Sequence, residues 1–281
     1  MSSASSSEPV APGEVEPERE LSALERVLAA IGHALGDTLQ GLGRVAMMVG
    51  AALWHSLRPP IHPRAFVYQV LQVGVRSLAL ALTMALFTGM VLAFQFGVGL
   101  ERFGAKLFIG QTTVTALFRE IAPLLTALVV GGRVGAGIAA ELGVMAVTEQ
   151  IDAMRALGAD PLQRLVAPRI LATTLGLPLL AVCADVIGFF GAMFIASAEY
   201  GVAPALFLRG VLDFIQIGDF ASGLFKTLVF GFLIGVIACY HGINATGGTE
   251  GVGRATTRAV VASALSVLAV DFLLTKLLLS V

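Results

Sequence analysis

Ionisable residues inside apolar runs are costly to bury in a membrane, so each one is a candidate for function or for a compulsory ion pair. Arg133, Asp185, Asp271 and Lys276 all fall within or beside long apolar stretches. Arg133 stands near enough to one end of its stretch to snorkel. Pairing with Asp185 or Asp271 is the alternative, and a structural ion pair is the favoured reading. Lys276, near the end of the last stretch, reaches the interface. His241 and Glu250 flank a Gly-rich segment and have the types of a general base and acid. No nucleophile or second His accompanies them in a recognisable arrangement, so no catalytic residue is assigned. Gly135-Ala-Gly137-Ile-Ala-Ala140, with Asp160 about 20 residues beyond, fits the dinucleotide fingerprint, which carries meaning only between a strand and a helix of a βαβ unit. Here the segment simply continues an apolar run. A Gly-x-x-x-x-Gly-Lys-Ser/Thr loop is missing, so the chain is not its own ATPase by that route, and no cofactor is expected in it.

Composition sets the frame for those residues. Apolar residues make up 57% of the 281 and charged residues 13%, where soluble domains run at about 25% charged. A soluble fold of this size would expose large apolar patches, whereas a bilayer removes the difficulty. The 32 glycines agree, since Gly is commoner in membrane helices than in soluble ones. A net charge of -1 gives no electrostatic case for nucleic acid. Cys183 and Cys239 sit apart in apolar runs and read as small hydrophobes, and no metal-ligand spacing is present. The Ser/Pro/Glu-rich start is unlike a signal peptide, so the first span is expected to act as its own insertion signal.

The order of segments predicts an all-α integral membrane protein. Residues 1–22 read as a disordered acidic tail, and residues 23–281 as the membrane domain. Over 24–57 apolar residues recur at helical spacing but polar ones interrupt too often for a span, which predicts a helix lying along the membrane surface. Pro59, Pro60 and Pro63 then break it. Five apolar stretches follow, at about 77–100, 121–142, 170–198, 224–243 and 259–281, each near the ~20 residues that cross a hydrocarbon core. Arg58, Arg64, Arg76, Arg155, Arg164, Arg169, Arg254 and Arg258 fall on one side, against Arg102, Lys106, Arg119, Arg209 and Lys226 on the other. That bias favours a cytoplasmic N-terminus and an exterior C-terminus. The pairs Gly131/Gly135, Gly231/Gly235 and Gly188/Ala192 have the spacing for close helix contact.

Residues 143–161 leave the membrane on the cytoplasmic side and read as a short amphipathic helix. Thr148 suits its N-cap, Gly158 its C-terminal turn, and Pro161 forbids continuation. Ile151, Met154 and Leu157 recur every three residues, with Glu149, Gln150, Asp152 and Arg155 on other sides. Such a surface is a docking element for a soluble partner.

Three segments, residues 119–133 (REIAPLLTALVVGGR), 140–161 (AELGVMAVTEQIDAMRALGADP) and 251–261 (GVGRATTRAVV), closely resemble the MlaE/YrbE permeases, as does Gly89-Met-Val-Leu92 followed by Gln95. The likeness runs from about residue 24 to the C-terminus. It implies an MlaE-like permease fold, a homodimer with an interfacial N-terminal helix and five spans in a bacterial inner membrane, with the C-terminus periplasmic. It further implies an ABC transporter that moves phospholipid between that membrane and a periplasmic MlaD-like MCE-domain protein. ATP and Mg would be bound by a separate MlaF-like ATPase, for which Glu149, Gln150, Ile151, Asp152, Met154 and Arg155 form the coupling helix, and an MlaB-like STAS protein is the further partner considered. Resemblance places Arg119 and Glu120 at the outer rim of a lipid pocket, and Leu92, Gln95, Leu100 and Phe103 on its wall, with Gly97 and Gly99 making this stretch smaller than the family pattern. Lys226 is a further headgroup candidate. A secondary transporter is the competing reading, but neither a clear inverted repeat nor a row of titratable residues along several spans supports it.

Overall fold

Lipid offers no partner to a backbone N–H or C=O, so a chain this apolar must satisfy both within helices. A computed structural model describes Gly43, residues 46–50 and residues 63–279, and among them every regular element is helical. The tail expected over 1–22 and most of the surface helix expected over 24–57 lie outside the described residues. All described residues except Gly43 belong to one compact unit, Val45–Val281.

Helix α1 (Pro63–Val73) leads across Gly74 into α2 (Val75–Glu101). Helix α3 (Lys106–Val147) opens on a 3-10 turn and carries two π turns, Leu117–Ile121 and Thr126–Val130. The short α4 (Gln150–Ala156) follows, then α5 (Leu162–Ala198), α6 (Pro204–Phe214), α7 (Ile217–Ile243) and α8 (Gly248–Leu279). The runs containing α2, α3, α5, α7 and α8 are each long and apolar enough to cross a membrane.

Several boundaries differ from the sequence reading for identifiable reasons. Pro63 reads as a breaker, yet it opens α1, because a proline in the first helical turn removes only an N–H that has no intrahelical partner. Pro204 opens α6 in the same way. Helix α7 begins at Ile217 because Gln216 and Asp219 form a reciprocal capping box there. Thr148 does not cap α4. Its hydroxyl turns back to the Val144 carbonyl at 2.7 Å, and Glu149 enters the helix through a left-handed backbone (φ 59°).

The spans pack chiefly as α2 on α5, α7 on α5 and α3, and α8 on α3 and α7. A larger cluster includes Val130, Ile138, Leu142, Ile170, Leu177, Phe230 and Ile234. A smaller one gathers Ala93, Ile109, Val114, Ala196, Tyr200, Phe207 and Val211, where α6 folds back on the bundle. Tyr200 closes it by donating its hydroxyl to the Phe94 carbonyl at 2.8 Å. The crossings depend on missing side chains. A Cβ on Gly89 of α2 would fall on the Gly188 carbonyl of α5, and one on Gly231 of α7 would fall on the Thr173 carbonyl of α5. Gly89→Ala should therefore lower the thermal midpoint in detergent, at a cost of about 1–3 kcal/mol as for other overpacked sites. Gly99→Ala, whose Cβ meets nothing within 4 Å, should not, and circular dichroism melts of the two variants compare them directly.

Candidate functional site

The first π turn of α3 carries Arg119 and Glu120. Pro123 explains the local loosening, since it brings no N–H to the preceding turn and its ring crowds the carbonyl four residues back. At this level α7 comes very close, because Gly223 faces the Phe118 carbonyl and Pro123. One turn further along α7, Lys226 is directed into the junction of α3, α7 and α8.

There its ammonium donates to Glu120 Oε2 at 2.5 Å and to Thr275 Oγ1 at 2.7 Å, and it pairs with Asp271 Oδ1 at 3.2 Å. Thr275 Oγ1 in turn lies 3.2 Å from both Glu120 oxygens and donates to the Asp271 carbonyl at 2.8 Å. The Lys226 side chain is 1% exposed, whereas that of Glu120 is 30% exposed. Beside this cluster Arg119 pairs with Asp219 of α7 at 3.6 Å, half-open to the outside. Of the three charged residues expected at the outer rim, Arg119 and Glu120 thus keep an outward edge, while Lys226 belongs to the interior and holds the helices together.

The pocket-wall residues lie elsewhere. Leu92 and Leu100 are half-buried on α2, and Gln95 and Phe103 are exposed. Helix α2 packs on α5, on the start of α3 and on the second π turn of α3. Leu100 and Phe118, the neighbour of Arg119, pack against the same smaller apolar cluster. Arg133 forms neither of the ion pairs considered from the sequence. It donates to Ser77 Oγ at 2.7 Å, because Asp271 sits at the other end of α8 and is already taken by Lys226. Asp185, 4% exposed, leaves one carboxylate oxygen without a hydrogen bond.

Helix α4 lies at the opposite end of α3, roughly 40 Å from Glu120 at 1.5 Å rise per residue. Ile151 is buried and Met154 half-buried, so these two anchor the helix on the bundle. Glu149, Gln150, Asp152 and Arg155 face outward, with Asp152 and Arg155 paired at 2.9 Å. Leu157, 86% exposed, is a large apolar residue beside this polar surface. Sequence reasoning missed Asp271 and Thr275 as members of the ion cluster. Their spacing of one helical turn on α8 is the signal that could have joined them.

Breaking a buried pair by removing one partner costs on the order of 3–5 kcal/mol, because the other charge is left buried and uncompensated. Lys226→Met should accordingly lower the thermal midpoint sharply. Adding Glu120→Gln and Asp271→Asn to Lys226→Met should recover part of the loss, and melting curves of the single and triple variants in detergent check both.

Comparison with known proteins matches residues 66–277 to the family model described as Permease MlaE. A probable ABC transporter permease protein of Synechocystis is 41% identical over 246 residues, 88% of this chain and 94% of that protein. The chloroplastic protein TRIGALACTOSYLDIACYLGLYCEROL 1 of Arabidopsis thaliana is 36% identical over 232 residues, 83% of this chain and 66% of that one. The intermembrane phospholipid transport system permease protein MlaE of Haemophilus influenzae is 34% identical over 252 residues, 89% and 97% respectively. Five apolar helices and these matches across most of its length place the chain in the MlaE permease family, as a multi-pass membrane protein and an ABC transporter permease subunit.

Proposed function

We propose that this chain is the membrane half of a phospholipid transporter in a bacterial inner membrane, working as a homodimer with its N-terminus cytoplasmic and its C-terminus periplasmic. The observation that carries the reading is the display of α4. A seven-residue helix is anchored by Ile151 and turns Gln150, Asp152 and Arg155 outward at one end of α3, while the ion cluster sits toward the other end. A separate MlaF-like ATPase docking on α4 would push on the same continuous helix that bears Arg119 and Glu120. Phospholipid as cargo is supported by the printed function of the Haemophilus relative and by chemistry at the rim. The Arg119 guanidinium attracts a phosphate, and the adjoining Glu120 carboxylate keeps that attraction weak enough for release. Leu92, Gln95, Leu100 and Phe103 of two facing copies would wall the acyl path, which leads to an MlaD-like MCE-domain protein at the outer face. An MlaB-like STAS protein fits as a further subunit on the ATPase side.

Reversing charge on the display face tests the coupling. Asp152→Lys removes the pair with Arg155 and puts two cations where an acid stood. Co-purification of the ATPase should fall at least tenfold with the fold of the chain intact. Undiminished association would remove α4 from the docking surface. In reconstituted vesicles containing the whole complex, Glu120→Gln should slow ATP-driven transfer of phospholipid while leaving ATPase association unchanged.

A further inference from the structure

A second polar cavity lies where α1 and α2 meet α3. Helix α2 runs from Val75 to Glu101 and α3 returns to Val147, so the start of α2 is at the same end of the bundle as α4. The helix between Arg76 and Glu101 rises about 37 Å at 1.5 Å per residue, close to the ~40–45 Å between headgroup layers. Arg76 therefore stands at headgroup level on the α4 side.

The cavity has a volume of about 230 Å3, and its polar lining is Gln69, Gln72, Arg76, Arg133 and Glu141. Glu141 is engaged by Arg169 at 3.1 Å, and the Gln72 amide donates to the Tyr68 hydroxyl at 2.6 Å. The remaining three groups lack an acceptor of matching charge. Arg133 is held by the neutral Ser77 hydroxyl. Arg76 makes no hydrogen bond or ion pair among the described residues. Gln69, only 9% exposed, has no side-chain hydrogen bond among the described residues either. Two guanidinium groups and an amide thus line one space, and among the described residues none of the three is paired with a carboxylate. Arg76 and Arg133 are exposed to this space and Gln69 is the buried residue of its lining, a combination of donors that matches an anion with several acceptor oxygens. Gln72 and Arg76 also border an apolar groove of about 270 Å3 formed with Tyr68, Leu71 and Val75. A cationic cavity opening beside an apolar groove at headgroup depth suits one amphipathic molecule better than a free ion.

We propose that the cavity of Gln69, Arg76 and Arg133 binds the phosphodiester of a phospholipid headgroup, with an acyl chain in the groove along Leu71 and Val75. The site is distinct from the outer ion cluster. Its occupancy is measured without transport, so its failure and the failure of the transport reading are seen separately.

Native mass spectrometry of the purified full chain, released from detergent with added dioleoyl phosphatidylglycerol, reads retention of the lipid. Loss of one charge-assisted hydrogen-bond donor should weaken retention roughly tenfold in Arg76→Gln, with Arg76→Lys retaining most of it. Gln69→Leu, which removes the amide and no charge, should weaken retention several-fold, and it keeps the test valid should the arginine variant fail to fold. Dioleoylglycerol, which has the chains without the phosphate, should not compete. Equal retention by wild type and both weakened variants overturns the proposal, as does equal competition by dioleoylglycerol. Displacement of the lipid by millimolar inorganic phosphate also overturns it, by assigning the cavity to a free ion.

Discussion

Inside a bilayer, helices gain little from hiding apolar side chains against one another, because the lipid tails are equally apolar. Association has to come from backbones that approach closely and from polar bonds between helices. In this protein the first makes the second possible. Gly89 lets α2 settle on the Gly188 region of α5, and Gly231 lets α7 settle on Thr173. With α7 fixed there, Gly223 brings it against the π turn of α3. Lys226, one turn on, then has no direction to point except toward Glu120 and Asp271. A larger side chain at Gly223 would push α7 off the Phe118 carbonyl and strain the pairing of Lys226 with Glu120.

The cluster itself illustrates how a cation is tolerated in such a place. Burying an ammonium is repaid only when its partners are close and its remaining protons are satisfied. Lys226 donates to the Glu120 carboxylate and the Thr275 hydroxyl and lies 3.2 Å from the Asp271 carboxylate, so two acids balance its charge. Because the partners come from α3 and α8, the bonds register the relative positions of three spans. Any rigid-body shift of α7 or α8 against α3 must break or exchange at least one of them. Helix α3 is also the element that ends at α4, so one continuous helix joins that end of the bundle to the ion-paired π turn at the other.

Much of this was legible in the residues, and the parts that were not share a cause. Long apolar runs announce spans because periodicity and length are properties of a single segment. Proline positions were harder, since Pro63 and Pro204 start helices while looking like breaks, and only the helix that follows distinguishes the two. The ion pairs were the least legible. Arg133, Asp185, Asp271 and Lys276 could be recognised as costly and Lys226 only as a headgroup candidate, because which acid meets which base depends on the depth and facing of several helices. Depth decided it. Arg133 lies near the level of Ser77, and Asp271 near that of Glu120. The docking surface shows the same limit on a smaller scale, for Ile151 and Leu157 share a spacing pattern but one anchors and the other is exposed.

The two polar sites differ in charge in a way that bears on how an anionic molecule would treat them. At the outer cluster Arg119 and Lys226 face Glu120, Asp219 and Asp271, two cations against three carboxylates. At the inner cavity Glu141 is balanced by Arg169, which leaves Arg76 and Arg133 uncompensated. A phosphate is therefore attracted strongly at the α4 end and only weakly near the π turn, where the nearest cations are already shared with carboxylates. On the proposed function, the end with the ion cluster is the one from which an anionic headgroup would depart readily. On that same reading release is eased because burial and its carboxylate partners hold Lys226 back from any passing anion.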